Sequence, residues 1–120
     1  QFFDTDIKES GFYGEPFQRV VEKIIETLPQ NVYLSIDVDG LDPSLCPHTG
    51  TPVPGGLSYP ELIFLLRELV RSQRRVIGFD LCEVAPHPSS NHFQWNENVG
   101  ARVLYQLSGL SLLSQELSAQ

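Results

Sequence analysis

Tyr33-Leu34-Ser35-Ile36-Asp37-Val38-Asp39-Gly40-Leu41-Asp42-Pro43 is the stretch that decides how this chain folds. Residues 32–36 form an apolar run of the kind found in buried strands, and it delivers two carboxylates, Asp37 and Asp39, where strand gives way to loop. The strand period of two sets both side chains on one side. Carboxylates that close repel unless positive charge lies between them, and a divalent cation is the usual answer. The competing reading is a turn, since aspartate before glycine commonly closes one. Metal is favoured because these charged residues abut a strongly apolar strand.

Outward from this strand, Phe17, Val20, Val21, Ile24, Ile25 and Leu28 recur at helical spacing, with Pro16 suited to the first turn and Pro29 stopping the helix. After the strand at 32–37 comes a loop, 42–56, dense in turn formers (Pro43, Pro47, Pro52, Pro54). Ser58 and Glu61 form a capping box, so a second helix starts there and runs through Leu62, Leu65, Leu66, Leu69 and Val70. Arg71, Arg74 and Arg75 close it against its dipole. A second buried strand, 76–81, carries Asp80 and Glu83 at its far end. Residues 85–96 read as a loop, and a last helix follows from about Asn98, with Val99, Val103, Leu104 and Leu107 on one face.

The order helix, strand, helix, strand, helix implies right-handed crossovers and a parallel sheet covered on both faces. Two strands do not make a stable open sheet of that kind, so the remainder is expected from sequence outside this chain or from another chain. Ligands of such sheets bind beyond the carboxyl ends of the strands, where Asp37, Asp39 and Glu83 all fall.

The bulk numbers narrow the class. One domain of 120 residues, 41% hydrophobic and 19% charged, is an ordinary soluble globular composition. A net charge of -7 argues against nucleic acid and anionic membrane as partners and is compatible with a cationic substrate or a metal ion. Cys46 and Cys82 show no metal or disulfide spacing, which makes a reducing cytoplasm the default location. No segment reaches the length of a membrane span. The chain opens Gln1-Phe2-Phe3-Asp4 without methionine, cap or leader, and the expectation is a piece of a longer protein.

Closely spaced aspartates after an apolar strand occur in several families. The haloacid dehalogenase-like phosphatases use D-x-D-G-T-L; Asp37-Val38-Asp39-Gly40 matches its first half, and Leu41 and Asp42 break it. An EF-hand loop wants glycine sixth and glutamate twelfth, where this chain has Asp42 and His48 after a strand. A third match is much closer. Residues 35–43, followed by Pro47, Thr49-Gly50-Thr51-Pro52 and Gly55-Gly56-Leu57, strongly resemble the ureohydrolases: arginase, agmatinase and formimidoylglutamase. Gly78-Phe79-Asp80-Leu81-Cys82-Glu83-Val84-Ala85-Pro86 and Asn98-Val99-Gly100-Ala101-Arg102 are similar to that family too.

The resemblance covers nearly the whole chain. It implies an α/β fold, a three-layer α/β/α parallel sheet of arginase type, of which residues 1–120 are the carboxy-terminal part of a single domain. It also implies a binuclear manganese centre, with Asp37 bridging both ions and Asp39 binding one. Such a pair lowers the pKa of a shared water and gives a nucleophile for a planar guanidinium or amidine carbon, releasing urea (or formamide) and an amine. Glu83 matches the acid that binds the guanidinium, whose planar carboxylate suits a bidentate pair, and Thr49 would lie near the guanidinium nitrogens. The implied substrate is a small cationic guanidino or amidino compound, and the family commonly forms homo-oligomers, trimers or hexamers.

The family's upstream ligand motifs, Gly-Gly-Asp-His and Asp-Ala-His-x-Asp, do not occur here. This chain alone should therefore hold manganese weakly, if at all, and be inactive by itself. Thr49-Gly50-Thr51-Pro52 keeps the guanidinium-type loop, which favours arginase or agmatinase over formimidoylglutamase. The alternatives are a non-catalytic interaction module on the same fold and a phosphatase using Asp37 as phospho-aspartate.

Read without the resemblance, Glu83 is a solvated carboxylate after a strand. Asp42 and Asp80 read as structural, anchoring or orienting their neighbours, and Gly50, Gly55 and Gly56 as turn residues. His48 stands where the family has a small residue and reads as exposed, and His87 and His92 as loop residues without a partner in view. Phe93 and Trp95 read as packing anchors. Cys82, inside a buried strand, should be inert.

Overall fold

Three helices lie on one face of a two-stranded parallel sheet in the computed structural model, which describes residues 1–89 and 94–118. The elements are α1 (Asp4–Phe12), α2 (Phe17–Glu26), β1 (Asn31–Asp37), a 3-10 turn (Val38–Gly40), α3 (Tyr59–Arg71), β2 (Arg75–Cys82) and α4 (Trp95–Leu117). β1 and β2 pair from Asn31 with Arg75 to Asp37 with Cys82, with an irregularity between Val32 and Tyr33.

The amphipathic pattern sets the packing. α2 buries Val20, Val21 and Ile25, and Val21 and Ile25 join Val32, Leu69 and Val76 in one core cluster. The helix ends at Glu26 rather than Leu28, yet Leu28 still packs against the same cluster. Pro16 takes the cap position itself, its φ of -68° suiting entry into the helix. α3 starts as its capping box requires: Ser58 Oγ accepts from the Glu61 amide at 3.3 Å, and Glu61 Oε2 accepts from the Ser58 amide at 2.7 Å. Leu62, Ile63 and Leu66 of α3 meet Val99, Val103 and Leu107 of α4 in a second cluster that also takes in Val38, Leu41 and Cys46.

Several expectations change. Only Arg71 lies in the last turn of α3; Arg74 donates instead to the carbonyl of Ile25 at 3.2 Å, serving the end of α2, and Arg75 opens β2. α4 begins at Trp95, so the loop expected over residues 85–96 stops short of it. α1 carries no strong amphipathic signal and buries no residue, which is why periodicity passes over it. His92 and Phe93 lie outside the described residues.

The larger difference concerns the sheet. Among the described residues Leu34, Ile36, Phe79 and Leu81 pack against the helices, while the other face is bare, with Tyr33 59% and Ile77 60% exposed. The described residues thus supply two layers, as a fragment of a three-layer α/β/α fold would, and the strands are half-buried rather than buried. Cys82 consequently lies exposed at the end of β2. Its thiol donates to Asp80 Oδ1 at 3.4 Å, and that carboxylate raises the thiol pKa. The Asp80 carboxylate beside it, more than desolvation, keeps the sulfur protonated.

Candidate functional site

The carboxyl ends of β1 and β2 carry Asp37, Asp39 and Glu83, and one loop joins them. β1 ends at Asp37, so Asp39 is presented by the 3-10 turn rather than by strand alternation. Val38 between them is 1% exposed and packs into the core, while Asp37 is exposed and the Asp39 carboxylate meets the Thr51 hydroxyl. Asp37 pairs in register with Cys82, the residue before Glu83.

Thr49-Gly50-Thr51 spans the gap. The Thr51 hydroxyl donates to Asp39 Oδ2 at 2.6 Å, and the buried Thr49 hydroxyl donates to the Glu83 carbonyl at 2.9 Å. Between them, a Cβ on Gly50 would stand 3.4 Å from Glu83 Oε2, so the Glu83 carboxylate lies over this glycine. The Thr49 proton is engaged by Glu83, and only its oxygen lone pairs are left to face a ligand. Glu83 has φ +66°, a left-handed conformation that costs a non-glycine residue roughly 1–2 kcal/mol.

The loop is shaped at its base. Leu41 and Leu57 form an isolated parallel bridge, with Asp42 donating its amide to the Leu57 carbonyl at 2.9 Å. Gly56, at φ +82°, allows this closure: a Cβ there would lie 2.6 Å from the Leu41 carbonyl group. Asp42 Oδ1 accepts from both the amide and the hydroxyl of Ser44, which hold its carboxyl below the usual value. Asp80 sits on the open face with Ser35 Oγ 2.9 Å away; the Ser35 and Tyr33 hydroxyls depress its pKa, and the Tyr33 phenol is raised in return. Both aspartates hold their neighbours as expected.

The histidines are less solitary than their sequence context suggests. His48 and His87 meet edge to face with ring centroids 4.4 Å apart, joining the loop of Thr49 to the segment after Glu83. Trp95 is held by more than packing, its indole donating to the Ser44 carbonyl at 3.0 Å. Sequence reasoning missed Asn96, which is 1% exposed and donates to the Ala85 carbonyl at 3.0 Å. A lone asparagine at a loop-helix junction gives no periodic signal.

Asp37 and Asp39 offer oxygen donors of the kind hard divalent cations take. Asp39 keeps one carboxylate oxygen beyond the one bonded to Thr51. Among the described residues no group of three or more His, Cys, Asp or Glu side chains is placed to hold an ion. The donors fit such a cation in kind, and two carboxylates do not complete its shell. A groove elsewhere, lined by Tyr59, Glu97 and Arg102, contains none of the four expected site residues.

The sequence profile of the Arginase family matches residues 5–109. An N(1)-aminopropylagmatine ureohydrolase of Thermus thermophilus is 40% identical over 90 residues, 75% of this chain and 29% of that protein. The agmatinase of Bacillus subtilis is 36% identical over 104 residues, 83% of this chain and 35% of its own length. Among solved structures, that of a hypothetical agmatinase from Burkholderia thailandensis superposes with a TM-score of 0.72 at 30% identity, covering 97% of this chain and 33% of the other. The chain thus spans about a third of the length of the curated relatives it matches.

Proposed function

The chain belongs to the arginase family, and we propose that it is the carboxy-terminal part of a manganese-dependent hydrolase of guanidino or amidino C–N bonds. The observation that supports this best is the Thr49-Gly50-Thr51 bridge, which ties the Glu83 backbone and the Asp39 carboxylate to one short segment. A cationic planar group bound by Glu83 would thereby be held at a fixed place relative to Asp39.

In this reading Asp37 and Asp39 would hold two manganese ions together with residues outside this chain, and the ions would supply a water activated for attack at neutral pH. Glu83 pairs with the guanidinium or amidine nitrogens through both carboxylate oxygens, fixing the plane of the reacting carbon. Thr49 fixes Glu83. Water adds to that carbon, the bond to the substituted nitrogen breaks, and the proton passes to the departing amine, leaving urea or formamide. Arginase or agmatinase chemistry fits best, since the curated relatives include agmatinase and N(1)-aminopropylagmatine ureohydrolase. By itself the chain carries too few donors for a stable pair of ions and should not turn over substrate.

The test is release of urea or formamide by the full-length protein with added manganese, given arginine, agmatine, guanidinobutyrate and formimidoylglutamate. Urea from one of the first three is the expected result. No product from any of the four, with two ions bound, would leave a non-catalytic module of the same fold as the better reading.

A further inference from the structure

The segment that follows β2 is gripped at each of its first three residues. Thr49 donates to the carbonyl of Glu83. Val84 seats against α4 where Gly100 lacks a side chain; a Cβ there would lie 2.9 and 3.0 Å from the two Val84 methyls. Asn96, in the first turn of α4, donates Nδ2 to the Ala85 carbonyl at 3.0 Å. These grips surround the left-handed φ of Glu83, and a backbone of that kind persists only where its surroundings over-determine it.

Asn96 is an expensive choice for this place. It is 1% exposed, and its Oδ1 is buried without a hydrogen-bond partner among the described residues. A buried amide satisfied at one end only is less stable than an apolar side chain of the same volume. Packing does not account for it; the single bond to Ala85 does. Without that bond, Val84 and Ala85 could move away from α4 and Glu83 could relax to negative φ, carrying its carboxylate off Gly50.

We infer that Asn96 is a positioning residue for Glu83: through Ala85 it holds residues 83–85 in the conformation that sets the Glu83 carboxylate beside the Thr49-Gly50-Thr51 bridge. The inference rests on the reading of Glu83 as the acid that binds the substrate cation. It extends that reading to α4, whose first turn grips the exit of β2 by Asn96 and the aspartate loop by Trp95.

The test is a double-mutant cycle in the full-length manganese-loaded protein, using the compound among the four that it hydrolyses. Asn96→Leu, close in volume and without the donor, should lower kcat/KM roughly tenfold to a hundredfold, mainly through KM, as misplacement of a binding group does. In a Glu83→Gln background the same change should cost less than about twofold, because the two residues act as a unit. Losses that multiply in the double variant would show that Asn96 supports only the fold and would overturn the inference, leaving the role of Glu83 standing. A Glu83→Gln variant with unchanged kcat/KM would remove both. Should Asn96→Leu fail to fold, Asn96→Ala removes the same donor without adding an apolar branch and goes through the same cycle. It should raise KM with Glu83 present and change it less than about twofold in the Glu83→Gln background. An unchanged KM in Asn96→Ala would overturn the inference.

Discussion

At the carboxyl end of the sheet Glu83 sits at φ +66°, held by neighbours from a loop and from α4, whereas α1 has regular helical geometry and buries no residue. The strained region is the anchored one. α1 rests on an ion pair from Lys8 to Glu61 and on the Asp4 carboxylate lying against Gly55, with Phe12 at its end and Tyr13 beyond it 88% and 84% exposed. Regular backbone needs little from its surroundings, and an unusual dihedral must be fixed from several sides. Local stability should follow the anchoring: α1 opens at little cost, and the segment after β2 opens only with much of the core.

The sharpest separation of chemistry from architecture at the anchored end is Asp37→Asn. Asp37 is exposed at the end of β1, so an amide there leaves the packing intact. In the full-length protein turnover should fall by more than about a hundredfold, since even residues that only support metal ligands cost about tenfold to a hundredfold. Bound manganese should drop with it while the melting temperature holds. Retained activity in a manganese-replete assay would contradict the bridging role. Gly56→Ala tests the architecture alone. The φ of +82° and a Cβ 2.6 Å from the Leu41 carbonyl group should together destabilise the chain by roughly 2–4 kcal/mol, read from urea unfolding.

A milder cut at the same end is Thr49→Val, which keeps the shape and removes the donor to the Glu83 carbonyl. Stability should fall by about 1–2 kcal/mol, the cost of leaving that acceptor unpaired. KM should rise more than kcat falls, because Glu83 loses orientation. A stability loss with unchanged KM would mean that the left-handed turn survives on Asn96 and Val84 alone.

Much of this contrast is legible in the residues and part of it is not. Val32 to Ile36, the Ser58–Glu61 box and the i, i+3, i+4 spacing of Phe17 to Leu28 announce themselves, since burial and capping act over one or two turns. Asp37 and Asp39 stand out from the apolar strand that delivers them, whereas Glu83 and Thr49 stand out only by resemblance to a family, because nothing local distinguishes Glu83 from a solvated carboxylate. The open sheet face is not legible at all: Tyr33 and Ile77 have the composition of covered strand residues. Asn96 and the His48–His87 contact depend on segments apart in sequence, which no periodic pattern encodes. α1 escapes for the opposite reason, since few of its contacts leave a trace in hydrophobic spacing.

The weakest tie gives the smallest effect and the clearest sign. Glu61 accepts from Lys8 Nζ at 2.8 and 2.9 Å and also serves the cap of α3, so one carboxylate joins α1 to the core. Partial burial alone would raise its pKa; the Lys8 and Ser58 hydrogen bonds outweigh this and hold it below the ordinary 4.5. A depressed folded pKa contributes stability that is present above 4.5 and is lost as pH falls through the folded value. With both side chains about a third exposed or less, the pair should contribute no more than about 1 kcal/mol. Lys8→Ala should therefore speed amide exchange in α1 severalfold at neutral pH and leave β1, β2 and α4 unchanged. Once the pH has fallen below the depressed pKa of Glu61, the same substitution should have little further effect, because the protonated carboxyl has already released the lysine. Equal acceleration across the whole chain would show that α1 is part of the cooperative core rather than a helix tethered to it.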